Sequence, residues 1–161
     1  MLNRLDHVAF RVADVDPVVE LYTKKLGYKI VQSMELDFDG SKAKSHVLNL
    51  PGQPFYIFVD QGLDADNIIT KWVQKYGNRM HHMAYLVDDI YATSRHLIEQ
   101  GMAFTSDEVI DTGGGLKQLF TLPHPETGLI TEIIQRDVKD LFFVQGNVLE
   151  LIRSTEGLES E

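Results

Sequence analysis

The 161-residue chain contains no cysteine, which excludes disulfides, thiolate nucleophiles and cysteine-ligated metal sites such as zinc fingers and iron–sulfur clusters. Basic residues are also few: 15 Lys and Arg stand against 24 Asp and Glu, a formal net charge of −9. Because nucleic acids and anionic membranes attract basic surfaces, this balance argues against both as partners. No apolar run approaches the roughly 20 residues of a membrane span, and the N-terminal M-L-N-R-L-D is not typical of a signal peptide. We therefore expect a cytoplasmic protein.

The composition is that of an ordinary globular domain, with 43% hydrophobic and 24% charged residues. A chain of this length buries about two thirds of its unfolded surface when it folds, so it needs no disulfide or structural metal to hold a core. We therefore expect a single domain over residues 1–161.

The chain contains an internal repeat with an offset of 75 residues. Residues 5–15 read L-D-H-V-A-F-R-V-A-D-V, and residues 80–90 read M-H-H-M-A-Y-L-V-D-D-I, so that His7 aligns with His82. Each segment is strand-like and is followed by an apolar pattern of helical period that ends at Gly27 or Gly101. The repeat therefore predicts two copies of one structural module.

Three strand candidates follow each of these glycines, separated by turn signals. The pattern predicts an α+β fold built from two βαβββ modules. The linker has a helical period with Asp66 as a candidate cap, and the C-terminal segment is interrupted at Gly146. The predicted strands are 29–34, 45–50 and 54–60, then 103–110, 116–122 and 129–136; the predicted boundaries are module 1 at 4–61, a linker helix at 64–78, module 2 at 80–136 and a C-terminal segment at 137–161.

Two histidines and one glutamate are the residues that could carry chemistry. The repeat pairs His7 with His82, and because neighbouring strand residues point to opposite faces, it selects His82 rather than His81. Glu132 lies in the middle of the apolar strand L-I-T-E-I-I-Q-R, where a carboxylate is costly unless it is paired, protonated or metal-bound. Two histidines and one carboxylate are the ligand set of non-haem Fe(II) oxygenases.

The repeat also tests for a fourth ligand. The position in the first module that matches Glu132 is Phe58, or Ile57 with a slip of one residue, and neither side chain can bind a metal. We therefore expect three protein ligands and about three open positions on a divalent metal. Fe(II) is favoured, with zinc, cobalt, nickel and manganese as alternatives that the ligand set leaves open.

The paired modules, with a histidine near the start of each, resemble the vicinal oxygen chelate superfamily, which includes glyoxalases, epimerases, dioxygenases and binding-only resistance proteins. The second half is similar to the catalytic half of 4-hydroxyphenylpyruvate dioxygenase. The segments that carry this similarity are G-G-G-L-K-Q-L-F-T-L-P at 113–123, E-I-I-Q-R at 132–136 and Gly-Asn at 146–147.

The resemblance implies that the two βαβββ modules form a curved, cleft-like mixed sheet, the vicinal oxygen chelate fold. It also implies roles for particular residues. His7, His82 and Glu132 match the iron ligands of the dioxygenase. The positions that match its substrate pocket are Gln118, Phe120, Phe143, Ser45 and, in place of a glutamine, Asn67. Phe143 falls where the C-terminal segment of the family closes over the substrate. The pocket asparagine of the family is replaced in the run F-V-D at 58–60.

The resemblance therefore implies a non-haem Fe(II) dioxygenase that acts on a 2-oxo acid or an aromatic substrate and uses O2. The alternatives are a glyoxalase or a methylmalonyl-CoA epimerase with a redox-inert divalent metal, and a binding-only resistance protein. The epimerase family uses a fourth metal ligand and a glutamate base, for which residues 42–46 offer no acid. A small molecule is the expected partner, and a homodimer is left open.

Overall fold

The computed structural model describes residues 1–138 and 142–160, and the side chain of Ser160 is outside the described part. The chain divides into two compact units. Unit 1 consists of Met1–Asp6 and His82–Thr155, and unit 2 consists of His7–His81 and the C-terminal residues from Glu156. Strands β1 and β5 each run from one unit into the other, and in both strands the change falls beside a histidine of the repeat.

The elements follow the repeat. The first module contains β1, α1, β2, β3 and β4; then come α2, the elements of the second module (β5, α3, β6 and β7) and α4. The bounds are β1 Leu2–Arg11, α1 Val15–Glu20, β2 Lys29–Phe38, β3 Ser41–Asn49, β4 Tyr56–Gly62, α2 Ile68–Tyr76, β5 Arg79–Val87, α3 Ile90–Glu99, β6 Leu116–Phe120, β7 Ile130–Arg136 and α4 Gln145–Arg153. The predicted α+β class with two related modules is confirmed.

Unit 2 contains the strand order β2-β3-β4-β1. Strands β1 and β4 are parallel, and the two hairpin pairs β2–β3 and β3–β4 are antiparallel. Helix α1 packs on β3 and β4 and continues as a π-helical turn over Leu21–Lys25. The helix begins where the Asp14 side chain accepts a hydrogen bond from the backbone N–H of Asp16, which satisfies one of the free donors of the first turn.

Unit 1 contains the order β1-β5-β7-β6, to which β1 contributes its first residues. Strands β5 and β7 are parallel, and β6 and β7 are antiparallel. Helix α3 packs on β7, and its apolar side joins a core of residues from both elements and the neighbouring strands. The buried members of this core are Val87, Ile90, Leu119 and Ile133, with Leu97, Phe104 and Val109 packed against them.

The strand predicted over residues 103–110 is wrong as a continuous element. The segment pairs with its neighbour only at two isolated bridges, Phe104 with Thr121 and Ile110 with Gln118. Between them, the Ser106 hydroxyl donates to the carbonyl of Glu108 and accepts from the backbone N–H of the same residue. The backbone N–H and carbonyl of Glu108 are thus bonded to the Ser106 side chain instead of to a neighbouring strand. This local turn interrupts the strand.

Two further expectations need correction. The cap of the linker helix is Asn67, one residue after the predicted Asp66. Gly146 does not break the C-terminal segment but lies inside the first turn of α4. A Cβ there would lie 3.0 Å from Oγ1 of Thr112, so glycine permits a close approach to this residue. Leu141, which belongs to the apolar run of this segment, is outside the described residues.

Among the described residues, no helix is long and apolar enough to cross a membrane.

Candidate functional site

His82 and Glu132 face each other across the parallel pair β5–β7 of unit 1. The register pairs Ala84 with Glu132 and His82 with Ile130, which places the imidazole and the carboxylate on the same face of the sheet. Nε2 of His82 lies 3.1 Å from Oε2 of Glu132. The exposed fractions of the two residues are 7% and 1%, so the pair is shielded from water.

Gln118 and Phe120 complete the surroundings of this pair from the neighbouring strand β6. The register pairs Phe120 with Glu132, so both side chains of β6 share the face of the glutamate. Nε2 of Gln118 donates to Oε1 of Glu132 at 2.8 Å. The ring of Phe120 lies 4.6 Å from the imidazole of His82, measured between centroids. One carboxylate oxygen is thus held by an amide, and an aromatic ring covers the histidine.

Asn147 extends this network to the C-terminal helix. It is fully buried, and its Nδ2 donates to Oε1 of Gln118 at 3.2 Å and to the carbonyl of Leu116 at 2.7 Å. The sequence pointed to the Gly-Asn pair only through the resemblance and assigned the asparagine no role. An asparagine between a glycine and an apolar helical pattern is the sequence signal that could have identified it, because an amide that such a helix buries needs hydrogen-bond partners.

His7 lies in unit 2, where it begins the part of β1 that pairs with β4. It is 1% exposed, and its ring lies 5.6 Å from that of Phe58. The register pairs Ala9 with Phe58, just as Ala84 is paired with Glu132 in unit 1. Phe58 is therefore the counterpart of Glu132, as predicted without the slip to Ile57, and it offers no ligand atom.

Ser45 belongs to a second buried polar group in unit 2. Its hydroxyl donates a short hydrogen bond to Oδ1 of Asp60, which is opposite it on β4. Arg11 is opposite Asp60 on the other side, on β1. The exposed fractions of the three residues do not exceed 4%. Burial raises the pKa of Asp60 to about 6, although the Ser45 hydroxyl, the Arg11 charge and His7 lower it. Burial lowers the pKa of Arg11 to about 10, against the charges of Asp60 and Glu159.

The sequence did not single out Arg11 or Asp60 as functional. Asp60 is the one charged residue of β4, in the run F-V-D, which is the kind of signal that identified Glu132. Arg11 follows the apolar run V-A-F but shares β1 with other charged residues, so its signal is weaker. The guanidinium of Arg11 also lies 5.7 Å from the ring of Trp72, within the range of a cation–π contact.

Asn67 is placed as the N-cap of α2. Its Oδ1 accepts from the backbone N–H of Ile69 at 3.0 Å, and its Nδ2 donates to Oγ of Ser41 and to the carbonyl of Lys42. These bonds account for the burial of its amide. Its role in substrate binding stays a prediction.

Phe143 is 4% exposed and packs under the guanidinium of Arg136, whose central carbon lies 4.9 Å from the ring centroid. Arg136 in turn makes two hydrogen bonds to the carboxylate of Asp6, at 3.0 and 2.9 Å. The predicted packing of the C-terminal segment is thus present in unit 1. These contacts anchor the residues that precede α4, and closure over a substrate stays a prediction.

His81 points away from the side chain of its neighbour His82, as strand alternation requires. Its ring lies 5.2 Å from that of Trp72, in an edge-on arrangement within unit 2. His82 instead contacts Glu132.

The donor chemistry of the predicted ligands suits a divalent metal. His7, His82 and Glu132 each offer one ligand atom, an imidazole nitrogen or a carboxylate oxygen, and all three are buried. Imidazole and carboxylate are ligands for Fe, Zn, Co, Ni and Mn alike, so the residue types fit such an ion without selecting one. The amide on Oε1 leaves the other oxygen of Glu132 for a metal, which is the usual support for a ligating carboxylate.

Known proteins share this architecture. The chain is 28% identical over 135 residues to the mitochondrial methylmalonyl-CoA epimerase of Mus musculus, an alignment that covers 83% of this chain and 74% of that protein. The crystal structure of methylmalonyl-CoA epimerase from Mycobacterium tuberculosis superposes with a TM-score of 0.72 at 28% identity, covering 86% of this chain and 91% of that one.

A second similar structure is a mutant of 4-hydroxymandelate synthase from Streptomyces coelicolor. It has a TM-score of 0.85 at 23% identity, a likeness of fold that covers 99% of this chain but only 55% of that one. The family model described as "Glyoxalase/Bleomycin resistance protein/Dioxygenase superfamily" matches residues 6–120, more than half of the chain. The repeated modules, their fold and this match lead to one conclusion: the chain belongs to the glyoxalase/bleomycin resistance protein/dioxygenase superfamily.

Proposed function

We propose that the protein is a metal-dependent enzyme that holds one divalent ion with His7, His82 and Glu132. The observation that carries the proposal is the buried pair of His82 and Glu132, 3.1 Å apart, with the second carboxylate oxygen held by an amide. Burying an imidazole and a carboxylate on one sheet face costs free energy that their mutual contact does not fully offset. Binding of both side chains to a metal would offset this cost. Membership of a superfamily that contains metal enzymes supports the third ligand, His7.

We propose further that the metal is Fe(II) and that the enzyme is a dioxygenase acting on a 2-oxo acid or an aromatic substrate. The support is the number of ligands: Phe58 occupies the position equivalent to Glu132, so three protein ligands remain, as in two-histidine, one-carboxylate oxygenases. The resemblance of residues 113–123 and 132–136 to a keto-acid dioxygenase points the same way.

Bound iron would supply redox chemistry with O2, whereas a redox-inert ion would act as a Lewis acid on a substrate carbonyl. The chain's own contribution is to hold and shield. Gln118 fixes one oxygen of Glu132, and Phe120 packs against His82. Phe58 covers His7 in unit 2. These rings exclude water from the ligands and offer apolar surface to an aromatic substrate.

The second candidate is an epimerase, and two observations favour it. Curated and solved relatives at 27–28% identity are methylmalonyl-CoA epimerases. In addition, Asp60 is a buried carboxyl with a pKa raised to about 6, on the same face of unit 2 as His7. Such a group is suited to take a proton from a carbon next to a thioester carbonyl and to return it. In this candidate Asp60 takes the role of the base.

One experiment separates the candidates. Protein purified without oxygen is analysed for metal, and oxygen uptake is measured with aryl-pyruvates and other 2-oxo acids. Iron together with uptake that depends on the keto acid supports the dioxygenase. Zinc, cobalt, nickel or manganese, no uptake, and deuterium exchange into methylmalonyl-CoA that Asp60→Asn abolishes support the epimerase. Ligand binding without any metal would reject both and favour a resistance-type protein. The homodimer and the absence of nucleic-acid partners stay predictions.

A further inference from the structure

We propose that Asn147, on the C-terminal helix, is a positioning residue that orients the carboxylate of Glu132 through the side chain of Gln118. The proposal rests on the metal ligation by Glu132 proposed above. It assigns to helix α4 a part in the metal centre in addition to packing. The three side chains form one continuous run of hydrogen bonds inside unit 1, and their exposed fractions do not exceed 2%.

The orientation of the Asn147 amide is fixed by a backbone group. The N–H of Thr112 donates to Oδ1 of Asn147 at 2.9 Å, and the Thr112 hydroxyl donates to the same oxygen at 2.6 Å. A backbone N–H can only donate, so a flipped amide would set two donors against each other. Nδ2 of Asn147 must therefore point the other way, toward the carbonyl of Leu116 at 2.7 Å and Oε1 of Gln118 at 3.2 Å.

The orientation of Gln118 follows from that of Asn147. Because Nδ2 of Asn147 donates, Gln118 must present its oxygen to it, and its own NH2 group then faces Glu132. Nε2 of Gln118 donates to Oε1 of Glu132 at 2.8 Å. This donor stabilises the ionised carboxylate, and it leaves Oε2 as the oxygen on the side of His82, 3.1 Å from Nε2 of the histidine.

The helix can supply Asn147 only because its first turn comes very close to the loop before β6. A Cβ on Gly146 would lie 3.0 Å from Oγ1 of Thr112, and a Cβ on Gly114 would lie 2.6 Å from Cγ2 of Val144. The middle residue of the triple glycine at 113–115 therefore makes room for the segment that enters α4. Buried side chains on α4 hold the helix in place: Val148, Leu151 and Ile152.

The conservative change Asn147→Asp reverses this order of donors with little change in volume. The new carboxylate still accepts from Thr112, but its second oxygen cannot donate to Gln118 when it is ionised. Gln118 then gains by turning its NH2 group toward residue 147, which sets its carbonyl oxygen against Glu132. Mutation of a residue that hydrogen-bonds to a metal ligand typically weakens metal affinity about 10- to 100-fold, and we expect a loss of this size.

The test measures the affinity of the full chain for Co(II), by titration of its visible absorption spectrum, which also reports ligand geometry. The variants are Asn147→Asp, Gln118→Met and the double variant. Ser154→Ala is the matched control, because Ser154 also fastens the end of α4, through Thr105 at 2.9 Å, but has no bond to Gln118 or Glu132. We expect about 10- to 100-fold weaker binding for each single variant, a changed spectrum for Asn147→Asp, and unchanged affinity for the control.

The outcomes decide between the two proposals. If the wild-type chain binds no Co(II), ligation by Glu132 fails. If the wild type binds and Asn147→Asp binds equally well, the role of Asn147 is rejected. If Asn147→Asp weakens binding as much in the Gln118→Met background as alone, Asn147 does not act through Gln118, and the inference is overturned. If Asn147→Asp does not fold, Gln118→Met decides. Unchanged Co(II) affinity in that variant would show that Gln118 does not connect Asn147 to Glu132, and the inference would be rejected.

Discussion

The buried carboxyl of Asp60 gives a quantitative prediction about stability and pH. Its pKa is about 6 in the folded chain, against an ordinary value of 3.8, because burial outweighs the stabilising contacts with Ser45, Arg11 and His7. One pKa unit corresponds to about 1.4 kcal/mol, so ionising Asp60 costs the folded state about 3 kcal/mol.

The direction of the effect follows from the raised pKa. Below about pH 4 the carboxyl is largely neutral in both the folded and the unfolded chain, so Asp60 does not lower the stability of the folded state. As the pH rises through about 6, this part of the stability is lost. Asn at position 60 stays neutral at every pH. The unfolding free energy of Asp60→Asn minus that of wild type should therefore increase by up to about 3 kcal/mol as the pH rises from 4 to 7.

The assay is urea unfolding at several pH values, followed by the fluorescence of Trp72, the only tryptophan and a residue of the same unit. A chelator is present, so that metal binding does not contribute. Taking the difference between variant and wild type removes the titrations that do not depend on Asp60. A difference that stays constant within about 1 kcal/mol over this range would refute the reasoning.

Asp64→Asn is the control for Asp60→Asn. Asp64 is partly exposed, and backbone and hydroxyl donors, with the N–H of Lys42 first among them, lower its pKa. Its contribution to stability is therefore present above its ordinary pKa and is lost as the pH falls. The difference for Asp64→Asn should therefore stay nearly constant between pH 4 and pH 7, and it should change, in the direction opposite to that for Asp60→Asn, only below about pH 4.

The remaining predictions concern single contacts. His82→Ala should abolish metal retention and His81→Ala should not, because the two side chains point to opposite faces of the strand. Metal analysis after dialysis measures this, and equal loss of metal from both variants would contradict the choice of His82 as the ligand. Arg136→Ala should lower the unfolding free energy by about 3–5 kcal/mol, because it removes the bidentate partner of the buried Asp6 carboxylate; a loss under 1 kcal/mol in urea unfolding would contradict this. Ser45→Ala should raise the pKa of Asp60 further, because it removes a donor, and the midpoint of the pH-dependent stability difference should move up.

Much of the fold could be predicted from the sequence, because it is encoded locally and twice. Apolar alternation, helical periods and the glycines that end them predicted the order of elements in each module. The interrupted strand at 103–110 shows the limit of this method. Its alternation is genuine, but the bonds between Ser106 and Glu108 close a local turn that the hydrophobic pattern does not reveal.

The sequence alone determined which residues are candidates for the site. The repeat and strand parity selected His7 and His82 over His81, and the cost of a carboxylate in an apolar strand selected Glu132. These inferences need only the internal repeat, the period of a strand and the free-energy cost of burying a charge, all of which can be applied to the sequence directly.

Only the tertiary structure decided how the candidates are supported. The direction of the Gln118 amide depends on Asn147, 29 residues away, and that of Asn147 on the backbone of Thr112. The raised pKa of Asp60 likewise depends on burial between two neighbouring strands. Hydrogen-bond direction and desolvation are set by groups distant in sequence that meet only in the folded chain, so no local pattern could have predicted them.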